Sequence, residues 1–251
     1  MMCLRTGSLI LVTVLLAGCA GGQGKTETGV TSESAQTRLQ LGLEYLATGK
    51  LDAARQNLDK AVQAAPGDYR MQLGMAMYEQ RVGENAAAQN RYQLALKLAP
   101  QNGTVLNNYG AFLCGLGQYV PAQQQFAAAA QAADYGQVAD SLENAGYCFF
   151  KAGQYAEARP LLSRALKYNP DKGTTLVGEA GRQLDDGQPD QAKLLIDVYQ
   201  HVLPASAESL WLQIRFAQQA GRQNDVQRYG TRLSRSFPQS KQYQQFLANE
   251  Y

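Results

Sequence analysis

Apolar and polar residues follow two different rhythms along this chain. Near the beginning lies one unbroken apolar run, LILVTVLLA from Leu9 to Ala17, preceded by Arg5. It is too short to span a bilayer as a lasting helix and has the form of a secretory signal. The stretch Ala20 to Ser34 is rich in Gly, Thr and Ser and has no apolar face, so it reads as a flexible tether reaching roughly 20 Å on average and about 50 Å at most. Beyond it, apolar residues recur at spacings of three and four, as in Ala54, Leu58, Ala61 and again Ala158, Leu162, Ala165. That spacing predicts buried helical faces, and nothing in the chain alternates as a strand would. The expectation is an all-α protein.

The helical pattern is itself periodic. Gly49, Gly83, Gly117, Gly153, Gly187 and Gly221 follow one another at intervals of 34, 34, 36, 34 and 34. Seventeen residues after each stands a proline, Pro66, Pro100, Pro170, Pro204 and Pro238, except that Asp134 takes this place in the third unit. Seven residues before each glycine is a small residue, Gly42, Ala76, Gly110, Gly146 and Ala180, with Ile214 the exception. A period near 34 residues is the mark of tetratricopeptide repeats, and residues 35 to 238 resemble that family. The resemblance implies a right-handed superhelix of six helix pairs, in units 35–68, 69–102, 103–138, 139–172, 173–206 and 207–240, with a capping helix at 241–251. Within each unit the recurring glycine ends the first helix in a left-handed turn, and the proline stops the second. The glycine-crowded stretch LNNYGAFLCGLGQY, residues 106 to 119, is therefore scaffold, because a phosphate-cradling loop would follow a strand.

The same resemblance implies that the second, fifth, ninth and twelfth positions of each unit look into a concave groove. These are Leu39, Leu43 and Leu46 in unit one, Arg70, Leu73, Met77 and Gln80 in unit two, Thr104, Asn107, Ala111 and Cys114 in unit three, and Asp140, Glu143, Tyr147 and Phe150 in unit four. With Asn108 added, the residues expected to line a partner-binding groove are Leu39, Leu43, Leu46, Met77, Asn107, Asn108, Tyr147 and Phe150. Apolar side chains beside asparagine amides suit an extended peptide segment. The alternative for the leucine row is packing against a cap or the tether. The family's clamp for a C-terminal carboxylate is not reproduced: Asn108 and Asn144 match its asparagines, but its lysines are missing.

Composition narrows the chemistry. With 23 basic and 21 acidic residues, the formal charge of +2 gives no nucleic-acid footprint. His201 is the sole histidine and excludes a multi-histidine metal centre. No catalytic constellation, cofactor motif or small-molecule site emerges.

Of the four cysteines, Cys3 lies in the signal, and LAGC, Leu16 to Cys19, resembles the lipobox of bacterial lipoproteins, which makes residues 1–18 a signal peptide and Cys19 the lipidated residue of a segment 19–34. Ala20, not aspartate, follows, and the resemblance then implies sorting to the outer membrane, with the folded part facing the periplasm. Cys114 and Cys148 remain, in the first helices of consecutive units. Neighbouring helix axes lie about 8 to 10 Å apart, so a disulfide is feasible; in an oxidising periplasm a Cys114–Cys148 bridge is the expectation, and two inert buried thiols are the alternative.

Length, lipobox and the stretches VLNNYGAFL (Val105 to Leu113), SLWLQIRFA (Ser209 to Ala217) and FPQSKQYQQF (Phe237 to Phe246) together resemble the type IV pilus biogenesis lipoproteins of the PilF/PilW, or pilotin, type. That family implies a non-catalytic scaffold that helps pilus secretin subunits reach the outer membrane and form their ring. A general envelope-assembly scaffold and a periplasmic enzyme are the competing readings, and the enzyme is the weakest for want of a reactive constellation.

Overall fold

The computed structural model describes residues 27–132 and 136–251, and the signal, Cys19, Ala20 and Asp134 lie outside them. Among the described residues there are thirteen helices and no strand. Six antiparallel pairs follow in order: α1 (Glu27–Ala47) with α2 (Leu51–Ala64), α3 (Tyr69–Arg81) with α4 (Asn85–Leu98), α5 (Gly103–Gly115) with α6 (Tyr119–Gln131), α7 (Val138–Lys151) with α8 (Tyr155–Tyr168), α9 (Lys172–Asp185) with α10 (Pro189–Val202), and α11 (Ala207–Gln219) with α12 (Gln223–Ser236). A short α13 (Lys241–Leu247) closes the stack against α11 and α12.

The turn inside each pair is the one the glycine period predicts. All six recurring glycines have positive φ, between 66° and 82°. In every unit the N–H after the glycine reaches back five residues to a helix carbonyl, from Lys50 to Tyr45 through Arg222 to Ala217, at 2.8 to 2.9 Å. This bond closes the last turn of the first helix, and only glycine adopts the required backbone without a Cβ penalty.

Small residues then let the two helices of a pair cross closely. A Cβ on Gly42 would stand 2.6 Å from Leu58 Cγ, one on Gly110 2.9 Å from the Phe126 ring, and one on Gly146 2.7 Å from Leu162 Cγ. In each case the large residue comes sixteen positions after the small one. Unit six inverts the arrangement, with Ile214 at the small position and Gly230 at the large one. Ile214 is fully buried, and the Phe246 ring of α13 sits directly on Gly230. The apparent lapse at Ile214 is thus an exchange of volume that opens a seat for the cap.

Between units two and three the space is filled by rings: Tyr92 of α4 lies 5.6 Å from Tyr109 and 5.1 Å from Phe112 of α5, centroid to centroid. Between units four and five, Lys172 Nζ sits 2.6 Å from Asp140 and 2.5 Å from Glu143. Burial works to lower the Lys172 pKa, but hydrogen bonds to these two carboxylates outweigh it and hold the ammonium above its ordinary value.

One boundary expected from sequence is corrected. Helix α1 begins at Glu27, so residues 27–34, read as tether, extend the first repeat helix. Adding residues to an existing helix needs no new nucleus, and that explains why a segment without an apolar face is helical.

Candidate partner-binding groove

The first helices α1, α3, α5, α7, α9 and α11 carry the groove positions, and the structure divides the expected residues into three groups. Leu46, Met77 and Asn108 come together, with Gln80, Arg81, Tyr92 and Ala111, around an open cleft of about 390 Å³ at the junction of units one to three. Ala111 also borders a smaller hollow of about 100 Å³ that holds Tyr147, Asn144, Lys151 and the two cysteines. The two hollows meet at Ala111 and together trace a lane along the inner face from α1 to α7.

A second group is half-engaged in packing. Leu39 and Leu43 both approach the bare Cα of Gly74 on α3 and join the cluster around Leu58 and Met75. The leucine row of unit one is therefore the seal between units one and two, and only Leu46 at its end reaches the cleft. Asn107 accepts hydrogen bonds on Oδ1 from Ser141 Oγ at 3.2 Å and Asn144 Nδ2 at 3.1 Å, which ties α5 to α7. Among the described residues its own amide nitrogen donates to nothing.

Phe150 corrects the expectation outright. It is 6 % exposed, packs on Tyr155 with ring centroids 5.4 Å apart, and belongs to the core of units four and five. A twelfth position lies in the last turn of its helix, close to where the partner helix returns, so a large ring there folds inward.

Three polar side chains of the lane have well-defined surroundings. Asn108 donates Nδ2–H to the Thr104 carbonyl at 2.8 Å, which fixes its amide. Tyr92 donates its hydroxyl to Gln80 Oε1 at 2.7 Å, and burial pushes the phenol pKa well up. The Tyr147 hydroxyl is buried with no hydrogen-bond partner, and burial, helped by the nearby Glu143 and Glu179 carboxylates, raises its pKa too. It stays protonated, a buried donor without an acceptor among the described residues.

The sulfurs of Cys114 and Cys148 stand at bonding distance, 2.20 Å, with Cα atoms 5.8 Å apart. The two residues form part of the floor of the lane.

Sequence reasoning stopped its groove reading at unit four and missed a second cleft. Between α9 and α11 a hollow of about 400 Å³ is bordered by Thr174, Val177, Gly181, Trp211 and Arg215, with Gln242 of α13 at its edge. The signal was present: Thr174, Val177 and Gly181 hold the second, fifth and ninth places of unit five, and Trp211 and Arg215 the fifth and ninth of unit six.

Comparisons with known proteins agree with this geometry. Models described as tetratricopeptide repeat match residues 35–68, 101–171 and 149–213, together more than half of the chain. The type IV pilus assembly protein PilF of Pseudomonas aeruginosa is 29% identical over 253 residues, covering 99% of this chain and 100% of that protein. An uncharacterized protein of Haemophilus influenzae is 32% identical over 145 residues, or 58% of this chain and 80% of the relative. Among solved structures, Pseudomonas aeruginosa PilF superposes with a TM-score of 0.61 at 28% identity, over 88% of this chain and 99% of that one. PilW, described as a widely conserved type IV pilus biogenesis factor, gives a TM-score of 0.60 at 26% identity, over 85% and 98%.

Proposed function

We infer, because the chain belongs to the tetratricopeptide repeat family and is similar to PilF from end to end, that it serves type IV pilus biogenesis as a non-enzymatic protein-binding scaffold. The observation that carries this reading is the full-length relationship to PilF, 29% identity over 99% of the chain. The groove adds what such a scaffold needs, an open cleft with apolar Leu46 and Met77 beside the fixed amide of Asn108.

The finer proposal is that the protein is lipidated at Cys19, held at the outer membrane facing the periplasm, and assists localisation and ring assembly of the pilus secretin. The LAGC motif and Ala20 support the anchor. A peptide segment of the secretin lies in the lane, its apolar side chains against Leu46 and Met77 and its backbone on the amides. Binding modes of this kind combine apolar anchors with main-chain hydrogen bonds.

The test is a double substitution, Leu46→Asp with Met77→Asp, at the cleft surface. Secretin rings on a non-boiled gel should be lost while circular dichroism and the amount of the variant stay unchanged. Normal rings would mean that the secretin uses another face. For the anchor, palmitate labelling should mark the wild type and not Cys19→Ser, and an unlabelled wild type that still floats with outer membranes would refute it.

A further inference from the structure

The last outer helix, α12, carries three arginines against a single acidic residue, Asp225. Residues 207–251 contain six basic and three acidic residues, an excess of three in a chain whose whole excess is two. Three of the six, Arg228, Arg232 and Arg235, follow at intervals of four and three along α12, which places them on one face within about 11 Å of helix axis. All three are exposed. Elsewhere arginines are mostly matched, as Arg70 is by Asp68 and Arg91 by Glu79. On α12 the single Asp225 is shared between Arg222 at 3.4 Å and Arg228 at 2.9 Å, and among the described residues Arg232 and Arg235 have no carboxylate partner.

The stripe has a shaped surface beside it. Arg228 and Arg232 stand on the rim of a cleft of about 500 Å³ whose floor is the turn Leu203, Pro204 and Ala205 and whose wall is Tyr229. The Arg228 guanidinium lies 4.7 Å from the Tyr229 ring centre and donates to its hydroxyl at 3.0 Å, so it is held outward and keeps further N–H groups for a ligand. Guanidinium groups over an apolar floor match a phosphate joined to an apolar body. A row of three along a straight helix matches neighbouring phosphates in a surface better than one free anion.

We infer that the Arg228–Arg232–Arg235 face of α12 docks on an anionic phospholipid surface, with a headgroup phosphate between Arg228 and Arg232. The inference rests on charge and shape in unit six and is independent of both the groove reading and lipidation at Cys19. It gives unit six a membrane contact of its own, at the end opposite the N-terminal segment.

The experiment uses residues 20–251, which contain every described core residue and lack Cys19. Sedimentation with phosphatidylcholine vesicles, with and without about 30 mol% phosphatidylglycerol, should show binding to the anionic vesicles alone, weakening as salt is raised. Each arginine near such a surface contributes about fivefold, so Arg228→Gln with Arg232→Gln and Arg235→Gln should lower the affinity about a hundredfold. Arg55→Gln with Arg159→Gln and Arg164→Gln removes the same charge from exposed positions elsewhere and should change it by no more than about twofold. Equal losses in the two triple variants would show attraction by net charge alone and overturn the proposal. So would indifference to phosphatidylglycerol, or displacement by millimolar inorganic phosphate, which would point to a single-anion pocket. Unchanged circular dichroism in both variants keeps the comparison interpretable.

Discussion

The junction between units three and four and the junction between units five and six use the same repeat positions and arrive at opposite surfaces. At the first, α5 and α7 are joined through Cys114 and Cys148 and through Asn107, whose carbonyl accepts from Ser141 and Asn144, and only a hollow of about 100 Å³ remains. At the second, α9 and α11 are linked across the groove by the Arg215–Asp185 ion pair, and a cleft of about 400 Å³ stays open. Its floor includes Gly178 and Gly181, helix-interior glycines with no packing reason: a Cβ on Gly181 would meet nothing within 4 Å, and one on Gly178 only the Arg182 guanidinium at 3.9 Å. The backbone repeat therefore sets where a groove runs, and side-chain volume at a few positions sets whether it is closed or open.

Breaking the closed junction gives the largest expected effect. Purified, unreduced protein should show no reactive thiol from Cys114 or Cys148 after denaturation. Replacing both by serine should lower stability by about 4 kcal/mol in the chain-entropy model, read as a shift of the urea midpoint. Two titratable thiols from these positions would remove the cross-link and with it half of the contrast.

Next come the two kinds of glycine. Gly146→Ala should destabilise by roughly 1 to 3 kcal/mol, because its Cβ would press on Leu162 side chain and backbone, the latter at 3.2 Å. Gly181→Ala should instead stabilise by up to about 1 kcal/mol, the gain of alanine over glycine in an unobstructed helix. If both lowered the urea midpoint alike, the trough at units five and six would be a packed interface after all.

The smallest effect separates burial from pairing within the first half. Glu79 is 7 % exposed and its Oε2 has no partner among the described residues, while Oε1 accepts from Arg91 at 3.4 Å. Burial raises its pKa despite Arg91. A folded pKa above the unfolded one means that the carboxyl favours folding fully below the unfolded value, and that this advantage is lost as pH rises through the folded value. Glu79→Gln should accordingly give a small rise in unfolding temperature at neutral pH that disappears in mild acid. A fall at neutral pH would show that the Arg91 pair outweighs the burial.

Much of this was legible in the chain because repetition makes a pattern its own control. The positive-φ glycines and the glycine–large-residue crossings were readable from their period alone, since one backbone solution must satisfy six sequences. Phe150 was not readable as core: the register that places Tyr147 in the lane places it there too, and only the return of α8 with Tyr155 draws the ring inward. Leu39 and Leu43, half-engaged in packing, were ambiguous for a related reason. Apolar residues on an inner face look the same in sequence whether the next unit covers them or not, and here Gly74 lets α3 come close enough to do so.

By itself the sequence determined the helical class, the six-unit period, the turns and crossings, and a groove of mixed apolar and amide character. These follow from local rules: a left-handed turn selects glycine, and a close crossing selects a small residue. Tertiary structure alone decided which groove positions remain at the surface, that Ile214 and Gly230 exchange volumes to seat Phe246, that Cys114 and Cys148 meet, and that Arg228 and Arg232 of α12 stand at the rim of a cleft floored by the Leu203–Ala205 turn. Each of these depends on what a neighbouring helix brings to the same place, and the chain order does not state the distance between side chains of different units.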